Sequence, residues 1–461
     1  MERKIAWEKY SQEEMEKVFT FAENYRQFLS LGKTERECVK LAVAEAKAHG
    51  YEDLQDVIAS GKALKAGDKV YSVCMGKTLA MFQIGEEPLE NGMNIVGAHI
   101  DSPRIDLKQN PLYEDTDMAM FDTHYYGGIK KYQWVALPLA LYGVVAKKDG
   151  TTVDITIGDD PSDPVFGISD LLPHLAREQM AKTAAKIIEG EDLNLLIGSI
   201  PVKGEEKEAV KKNILAILKE KYDIEEDDFI SAELEVVPAG AARAYGFDRS
   251  MIMGYGHDDR VCSYTSLAAM LKVENPVHTS CCLLVDKEEV GSNGATGMHS
   301  RFFENIVAEL IALTSASYSD LILRRCLKNS KMLSSDVSAA FDPNYPEVNE
   351  RKNSAFCGRG FTFNKYTGAR GKSGCNDANA EYIAYLRKVM DDAGVFFQTS
   401  ELGKVDQGGG GTIAYILANL NMEVIDCGVP VLNMHAPWEV VSKIDVYETC
   451  RGYEAFLRAE K

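Results

Sequence analysis

Five apolar, strand-like runs in this sequence lead directly into histidine or acidic residues. They occur in the strings NIVGAHIDSP, GYGHDDRVCSY, CCLLVDKEEVGSNGATG, MLSSDVSAAFDPNYPE and VPVLNMHAPWEVVSKIDVYE. In open α/β sheets, ligands bind outside the carboxyl ends of strands, so strand ends that are distant in sequence can meet in space. The pattern therefore predicts an α/β protein with one polar site at the edge of a sheet.

The length of the chain and a change in its pattern predict two domains. Its 461 residues exceed the roughly 250–300 residues that a single hydrophobic core supports. Strands and helices alternate on both sides of a middle stretch that contains mainly alternating strands and polar loops. We therefore expect a discontinuous α/β domain formed by residues 1–104 and 239–461, interrupted by an inserted β-rich second domain at 105–238.

Composition and charge argue against several classes of protein. The formal net charge of -19 disfavours nucleic acid as a partner, because phosphate binding requires clustered Lys and Arg. No segment approaches the ~20 apolar residues of a membrane helix, and the N-terminal residues lack the apolar core of a secretory signal. The ten cysteines contain no CxxC pair, which is typical of reduced thiols. We expect a cytoplasmic protein without a membrane partner.

The first run contains His99 and Asp101, two positions apart in an extended segment. Because side chains alternate along a strand, both lie on the same side. The carboxylate of Asp101 can then orient a metal-bound imidazole. A structural polar pair explains the same spacing, and taken alone the motif favours that simpler interpretation.

The second run contains Asp258 and Asp259 in a glycine-rich turn before a helix-like segment. A carboxylate with two usable oxygens can bridge two cations ~3.5–4 Å apart. Aspartate is also a preferred helix N-cap. In isolation the motif favours the N-cap.

The other three runs supply three more carboxylates and a second histidine. Glu288 and Glu289 are adjacent, so one can bind a metal while the other acts as general base, although surface glutamates fit the string equally well. Asp336 and His435 end the last two runs, and each one singly could be structural. An amphipathic helix is expected directly after His435. Together, two histidines and four carboxylates at strand ends form a donor set that suits Zn²⁺.

Two glycine-rich strings resemble nucleotide-binding motifs but lack their spacing. GARGKSG would need a glycine at position 366 to complete a P-loop, and Tyr366 stands there. DQGGGGT has no GxGxxG spacing, which favours close backbone packing or a flexible loop on the substrate side.

In this order, the motifs resemble the aspartyl aminopeptidase family of two-zinc metallopeptidases. The matching strings are VGAHIDSPRIDLK, DKEEVGS, the Asp336 segment ending in DPNYPE, and MHAPWE. The resemblance covers essentially the whole chain and implies a zinc-peptidase-like mixed sheet flanked by helices, with an inserted second domain. It also implies an aminopeptidase that removes single residues from the N-termini of peptides.

The resemblance further implies a role for each site residue. The two implied ligand sets are His99, Asp258 and Asp336 for one zinc ion, and Asp258, Glu289 and His435 for the other. Asp258 would bridge the two ions, with Asp259 as the alternative because the surrounding loop departs from the family pattern. Glu288 would be the general base, and Asp101 would orient His99. Zinc is expected, and Co²⁺ or Mn²⁺ is also compatible with these donors.

Members of this family form hollow tetrahedral dodecamers, so the resemblance implies a homo-oligomer whose inserted domain forms the dimer contact. A histidine of that domain reaches a neighbouring site in the family, and His174 in LLPHLAREQ is the candidate, with a surface histidine as the alternative. A basic group recognises acidic N-terminal residues in some members, and Lys365 is the candidate here. The loop around Lys365 is extended by RGKSGC, which puts the acidic preference in question.

Two other functions remain compatible with paired metals on this fold. A two-metal phosphatase or another amidohydrolase would use a similar donor set, but the adjacent pair of glutamates resembles the peptidase. A catalytically idle, self-assembling scaffold would not require an additional base such as Glu288 beside the metal ligands.

Overall fold

The computed structural model describes residues 4–460 and divides into two compact units. The first comprises the chain up to Asp101, Ala242–Met434 and the chain from Glu439 onwards, and the second comprises Ser102–Ala241 and His435–Trp438. The two main boundaries each lie three residues from the predicted ones. At the first boundary, the loop before Arg104 is grouped with the second unit, whose first strand begins at Arg104. The short segment His435–Trp438, expected in the first domain, is also grouped with the second unit.

The strands are distributed over both units and are numbered in chain order. They are β1 (Glu52–Asp53), β2 (Lys69–Cys74), β3 (Thr78–Gln83), β4 (Met93–His99), β5 (Arg104–Asp115), β6 (Met118–Tyr126), β7 (Leu139–Ala146), β8 (Thr152–Ile157), β9 (Leu195–Gly198), β10 (Ala232–Pro238), β11 (Arg243–Tyr245), β12 (Met251–Gly254), β13 (Thr279–Val285), β14 (Lys331–Ser335), β15 (Ser338–Ala339), β16 (Phe361–Asn364), β17 (Phe397–Ser400), β18 (Glu423–Gly428), β19 (Pro430–Leu432) and β20 (Glu439–Ser442).

The helices are numbered in the same way, and short 3-10 turns connect several elements. The α-helices are α1 (Gln12–Leu31), α2 (Glu35–Ala48), α3 (Leu54–Ser60), α4 (Arg177–Met180), α5 (Ala209–Tyr222), α6 (His257–Lys272), α7 (Phe302–Thr314), α8 (Asp320–Asn329), α9 (Ala369–Lys372), α10 (Ala380–Asp392), α11 (Ala414–Ala418) and α12 (Lys443–Leu457). The 3-10 helices are Ala6–Glu8, Leu89–Asn91, Lys131–Gln133, Ala184–Lys186, Gly190–Asp192, Glu226–Ser231, Glu288–Val290, Pro346–Val348 and Arg351–Asn353. Across residues 4–460, no helix combines the length and apolar character needed to cross a membrane.

The main sheet of the first unit has nine strands in the order β1-β2-β3-β13-β4-β14-β18-β16-β17. At its centre, β4 pairs in parallel with β13 on one side and with β14 on the other, and β18 continues the parallel run. The pairs β3–β13 and β16–β18 are antiparallel, so the sheet is mixed. This arrangement brings the carboxyl ends of β13, β4 and β14 to the same edge.

Both faces of this sheet are buried. Along β13, Cys281, Leu283 and Val285 pack into one apolar cluster, whereas Cys282 and Leu284 pack into another. A strand that is covered on both faces gains from apolar side chains at every position. The continuous run CCLLV is explained by this double burial.

Helices cover the two faces of the main sheet. Leu267 of α6 and Phe456 of α12 belong to the cluster on one face, and Leu310 of α7 and Leu327 of α8 belong to the cluster on the other. The first unit is therefore an α/β sandwich, as the alternation of strands and helices predicts.

A second, five-stranded sheet in the first unit has the order β11-β12-β20-β19-β15. Its strand β12 ends at Gly254, shortly before α6, and β20 pairs antiparallel with β12 so that Glu439 lies opposite Gly254. This small sheet therefore carries a buried carboxylate to the beginning of α6.

The second unit contains a six-stranded antiparallel sheet in the order β8-β7-β10-β5-β6-β9. The register of β5 and β6 shifts between Leu107 and Leu112, which marks a bulge. This unit is the inserted β-rich domain that the sequence predicts, and the mixed sheet with flanking helices is the predicted fold class.

Candidate metal centre

Three neighbouring parallel strands deliver the polar residues to one edge of the main sheet. His99 is the last residue of β4, and Asp336 directly follows β14. Glu288 and Glu289 begin a 3-10 turn shortly after β13. Asp258 joins them from the first turn of α6. We call these five residues the histidine–carboxylate cluster.

His99 lies at the middle of the cluster and is 1% exposed. Its Nε2 atom is 3.3 Å from Oδ1 of Asp258, 3.9 Å from Oε2 of Glu288 and 4.0 Å from Oδ1 of Asp336. One possible ligand atom from each of His99, Asp258 and Asp336 lies within 4.8 Å of the other two. The same holds for His99, Glu288 and Glu289. The strand ends thus bring together the first ligand set that the family resemblance implies.

Asp101 fixes both the histidine ring and the main chain of the two glutamates. The Nδ1 atom of His99 is 3.0 Å from the main-chain carbonyl oxygen of Asp101 and 3.3 Å from its Oδ1. The same carboxylate accepts the main-chain N–H of Glu288 at 3.1 Å and that of Glu289 at 3.2 Å. Asp101 therefore contacts the ring of His99 and additionally holds the turn that presents Glu288 and Glu289.

The ring contacts of His99 test whether a metal fits here. A carbonyl oxygen can only accept, so the Nδ1 atom beside it carries the proton and the lone pair of a neutral imidazole is on Nε2. That lone pair faces the carboxylate oxygens of Asp258 and Asp336, which are also electron-rich. Without a metal, this contact requires a second proton on the ring, which donates to Asp258. A cation takes the place of that proton, and imidazole with carboxylates is a zinc donor set. The residues fit a divalent metal ion.

The pKa values of His99 and Asp336 show that the cluster carries an excess of negative charge. Burial alone would lower the pKa of His99, but hydrogen bonds to Asp101 and Asp258 raise it well above its ordinary value. Burial raises the pKa of Asp336 well above its usual range, and the charges of Asp259, Glu288 and Asp258 raise it further. A positive charge is needed to keep all these carboxylates ionised at neutral pH.

The two adjacent aspartates of GHDDR differ in surroundings. Asp258 faces His99, and its main-chain N–H donates to Oε2 of Glu439 at 2.9 Å. Asp259 is fully buried, and burial raises the pKa of its carboxyl well above the usual range. The peptide bond between them is cis. Only Asp258 belongs to the groups of converging ligand atoms, so the geometry favours it over Asp259 as the metal ligand.

His257, which precedes these aspartates, has a structural environment. Its Nδ1 atom lies 2.6 Å from the hydroxyl oxygen of Tyr25 on α1. Complete burial lowers the pKa of His257 to about 3, so the ring is neutral at physiological pH. This histidine anchors the start of α6 against α1.

His435 lies in the segment grouped with the second unit and adopts a left-handed backbone conformation with φ 66°. Its Nδ1 atom is 2.8 Å from the carbonyl oxygen of Gly128 in the same unit. By the same reasoning as for His99, Nδ1 donates and Nε2 retains the lone pair. In the first unit, Asp258 and Glu289 each place a possible ligand atom within 4.8 Å of the other.

The two residues predicted to bind substrate are not part of the histidine–carboxylate cluster. His174 is exposed on a loop of the second unit. Lys365 has a side chain that is 51% exposed, and its Nζ atom lies 3.8 Å from Oδ1 of Asp377. The Nζ atom of Lys372 lies closer to this carboxylate, 2.8 Å from Oδ2 of Asp377, so one carboxylate serves two lysines.

The glycine-rich string at 406–412 packs closely against the loop around Tyr366. A Cβ atom added at Gly409 would lie 2.6 Å from the Cα atom of Ala369, and the N–H of Gly410 donates to the carbonyl oxygen of Thr367 at 3.0 Å. Close backbone approach, the first of the two interpretations of this string, accounts for Gly409 but not for Gly411, where a Cβ atom would meet nothing within 4 Å.

Two residues that support the cluster escaped the sequence analysis. Glu439 holds the main chain of Asp258, and the string MHAPWEVV gave no signal for this because we expected a helix directly after His435. Gly428 is the other: a Cβ atom there would lie 1.8 Å from the carbonyl oxygen of Asp336. The strand end VIDCGVP contains this glycine, and a glycine inside an apolar strand indicates close backbone approach.

A histidine and four carboxylates that converge at the edge of an α/β sheet form a donor set typical of metal-dependent enzymes, in which bound ions activate water. The profile of the M18 family, described as aminopeptidase I zinc metalloproteases, matches residues 28–457. The chain belongs to the M18 family of metallo-aminopeptidases, which hydrolyse peptide bonds.

Individual relatives agree with this assignment. A probable M18 family aminopeptidase 1 of Clostridium acetobutylicum is 64% identical over 457 residues, covering 99% of this chain and 98% of the relative. The crystal structure of aminopeptidase I from that organism matches with a TM-score of 0.93 at 61% identity, covering 100% of both chains. An M18 aminopeptidase structure from Thermotoga maritima has a TM-score of 0.95 at 46% identity, covering 99% of both chains.

A more distant structure, the mApe1 dodecamer of S. cerevisiae, shares the fold. Its TM-score is 0.76 at 20% identity, and the match covers 94% of this chain and 95% of the other. Membership in a zinc metalloprotease family and the histidine–carboxylate cluster together support the use of a divalent metal ion by this chain.

Proposed function

We propose that this aminopeptidase binds two divalent cations per subunit, most simply Zn²⁺. His99, Asp258 and Asp336 would hold one ion. Asp258, Glu289 and His435 would hold the other, with Asp258 as the bridge. The observation that carries the proposal is the Nε2 atom of His99, which faces the oxygens of Asp258 and Asp336 at 3.3 and 4.0 Å.

Glu288 is the proposed general base. When bound, the metal ions lower the pKa of a water molecule and polarise the scissile carbonyl group. The carboxylate of Glu288 lies within the cluster. The main-chain N–H of Glu288 donates to the carboxylate of Asp101. It takes a proton from the attacking water and returns it to the amine that leaves. Asp101 supports this step by keeping Glu288 and the ring of His99 in place.

The proposed substrates are peptides with a free N-terminal amine. The charge of Lys365 is paired with Asp377. Lys372 also contacts Asp377, at 2.8 Å, so one carboxylate offsets two lysines, and Lys365 remains the proposed contact for the N-terminal side chain of the substrate.

Hydrolysis of aminoacyl-arylamides tests the proposal directly. Chelator-stripped enzyme would be assayed with acidic, aliphatic and basic substrates, with and without Zn²⁺, Co²⁺ or Mn²⁺, while metal content is measured by mass spectrometry. We expect two ions per subunit and metal-restored cleavage of substrates with a free amine. N-acetylated substrates are the control and should not be cleaved. One ion per subunit at full activity would contradict the two-metal site.

A homo-oligomer, a tetrahedral dodecamer by family resemblance, is proposed as the assembled form. The support lies in the second unit, where large apolar side chains are exposed to solvent. These are Val165, Leu171, Leu172, Leu175, Met180 and Ile200, each 49–71% exposed. The first unit also exposes apolar side chains, such as Phe247 and Val405, but those of the second unit include four within the short stretch 165–175, and a group of this kind favours an interaction surface. His174 lies among them and is the proposed contribution of this unit to a neighbouring site.

A cytoplasmic location is proposed as well. All ten cysteines are free thiols, seven of them buried. Thiols persist in this state in reducing compartments.

A further inference from the structure

Glu439 is a buried carboxylate that touches the metal-binding segment without being one of its proposed ligands. It is 1% exposed and is the first residue of β20. Its Oε2 atom accepts the main-chain N–H of Asp258 at 2.9 Å. A charged acceptor makes a shorter and stronger hydrogen bond than a neutral one.

The main chain at Asp258 needs an external anchor. Asp258 and Asp259 have φ/ψ values of -82°/104° and -118°/28°, which lie outside the helical range, although α6 begins at His257. The first N–H groups of a helix have no partner within the helix. The regular ladder between β12 and β20 fixes Glu439 opposite Gly254, four residues before Asp258. Glu439 therefore reaches the irregular turn from a rigid element.

The arrangement repeats the role of Asp101 on the other side of the cluster. The carboxylate of Asp101 accepts the main-chain N–H groups of Glu288 and Glu289, and that of Glu439 accepts the N–H of Asp258. In both places a buried, non-ligand carboxylate holds the backbone from which a metal-binding side chain extends. Geometry errors of about 1 Å in such a site are costly, because ligands must converge on one point.

We propose that Glu439 is a positioning residue of the metal centre, which fixes the main chain of Asp258 so that its carboxylate faces His99. This inference rests on the proposed metal site. Loss of the acceptor frees the turn, and the Asp258 carboxylate then leaves the place where it converges with His99 and Asp336. Metal affinity should fall before the fold is lost.

Three variants separate this role from a general contribution to stability. Glu439→Leu removes the acceptor, Glu439→Asp keeps the charge but withdraws it by one methylene, and Glu439→Gln keeps an acceptor oxygen in place. The matched control is Glu448→Leu. Glu448 is also a buried carboxylate of the first unit that accepts a main-chain N–H, from Phe396 at 2.7 Å, and it lies on α12 rather than in the cluster.

The measurements are Zn²⁺ affinity by chelator competition, Tm of the metal-free enzyme, and kcat and KM at saturating metal. We expect Glu439→Leu to lose about 10–100-fold in Zn²⁺ affinity. Glu439→Gln should recover most of this loss, and Glu439→Asp should lie between them. Glu448→Leu should lower Tm without changing Zn²⁺ affinity. If Glu439→Leu does not fold, the Zn²⁺ affinities of Glu439→Asp and Glu439→Gln are compared instead.

Wild-type Zn²⁺ affinity in Glu439→Leu or Glu439→Asp, with a fall in Tm alone, would overturn the positioning role. Equal losses of Zn²⁺ affinity in Glu448→Leu and Glu439→Leu would overturn it too. Failure of the wild-type enzyme itself to bind metal would instead refute the proposed metal site. The two failures are therefore distinguishable.

Discussion

The sheets of the two units differ in how their faces are covered. Every residue of β4 and β13 in the first unit is buried, whereas β6 and β8 in the second unit mix buried positions with partly buried and exposed ones. A sheet covered on both faces is rigid, and only its strand ends can meet a ligand. A sheet with an open face presents surface to other molecules. We therefore propose a division between a positioning unit, the first, and a contact unit, the second.

The largest expected effect is on kcat, when a glutamate is replaced by glutamine in the first unit and, as a control, in the second. Glu288→Gln in the cluster removes the proposed general base while preserving shape, so kcat should fall by about 10²–10⁴-fold. Metal content and Tm should remain close to wild type. Glu220→Gln on α5 of the second unit is the control, because Glu220 is exposed there. Substantial residual turnover in Glu288→Gln, measured with the arylamide panel, would assign the base elsewhere.

A second prediction concerns backbone packing in the first unit. Gly428→Ala would drive a Cβ atom to 1.8 Å from the carbonyl oxygen of Asp336, so the strand end must shift. We expect a loss of about 3 kcal/mol in the free energy of unfolding, together with weaker Zn²⁺ binding. Gly411→Ala is the control, since a Cβ atom there meets nothing within 4 Å. Equal denaturation midpoints for the two variants would mean that the strand end adapts.

Residues that stand beside a recognisable local sequence pattern could be predicted from the sequence. The apolar runs that end in His99, Glu288 and Asp336 identify the strands, and the rule for strand ends brings them to one edge. Asp101 follows from its spacing of two residues from His99, although it lies just beyond the end of β4. The two-domain organisation follows from length and from the change of pattern after residue 104.

Residues whose role depends on tertiary contacts could not be predicted. Glu439 is 181 positions away from Asp258 in sequence, and only the pairing of β12 with β20 brings them together. The apolar run before His435 suggested a helix after it, whereas β20 intervenes before α12. The ion pair of Lys365 with Asp377 likewise depends on how the loop closes.

A third prediction contrasts buried and exposed carboxylates. Burial raises the pKa of Asp445 to about 8, although main-chain N–H groups of Gly358 and Gly360 oppose the shift. In the unfolded chain this carboxyl ionises near 3.8, so between pH 4 and 8 the unfolded state is favoured increasingly as pH rises. Asp223 in the second unit has the opposite shift, since hydrogen bonds to Lys147 and Lys219 lower its pKa to about 2.

Asp445→Asn should therefore flatten the dependence of unfolding free energy on pH between 5 and 8, by up to about 1.4 kcal/mol per pH unit. Its absolute stability should be lower, because the amide cannot accept from both N–H groups. Asp223→Asn should leave this slope unchanged, since its titration lies below pH 4. Denaturant melts of the metal-free enzyme at three pH values measure both. An unchanged slope in Asp445→Asn would show that another group dominates this range.

The smallest effect on folding is expected at the open surface of the second unit. Leu175 is 68% exposed, so Leu175→Ser should change the free energy of unfolding by less than about 0.5 kcal/mol. If this surface joins subunits, the same substitution should shift the mass measured by light scattering towards smaller species. Leu31→Ser is the matched control, because Leu31 is 62% exposed at the end of α1 in the first unit. A shift in both variants would mean that subunit contacts are not confined to the second unit, and the division between a positioning unit and a contact unit would no longer hold.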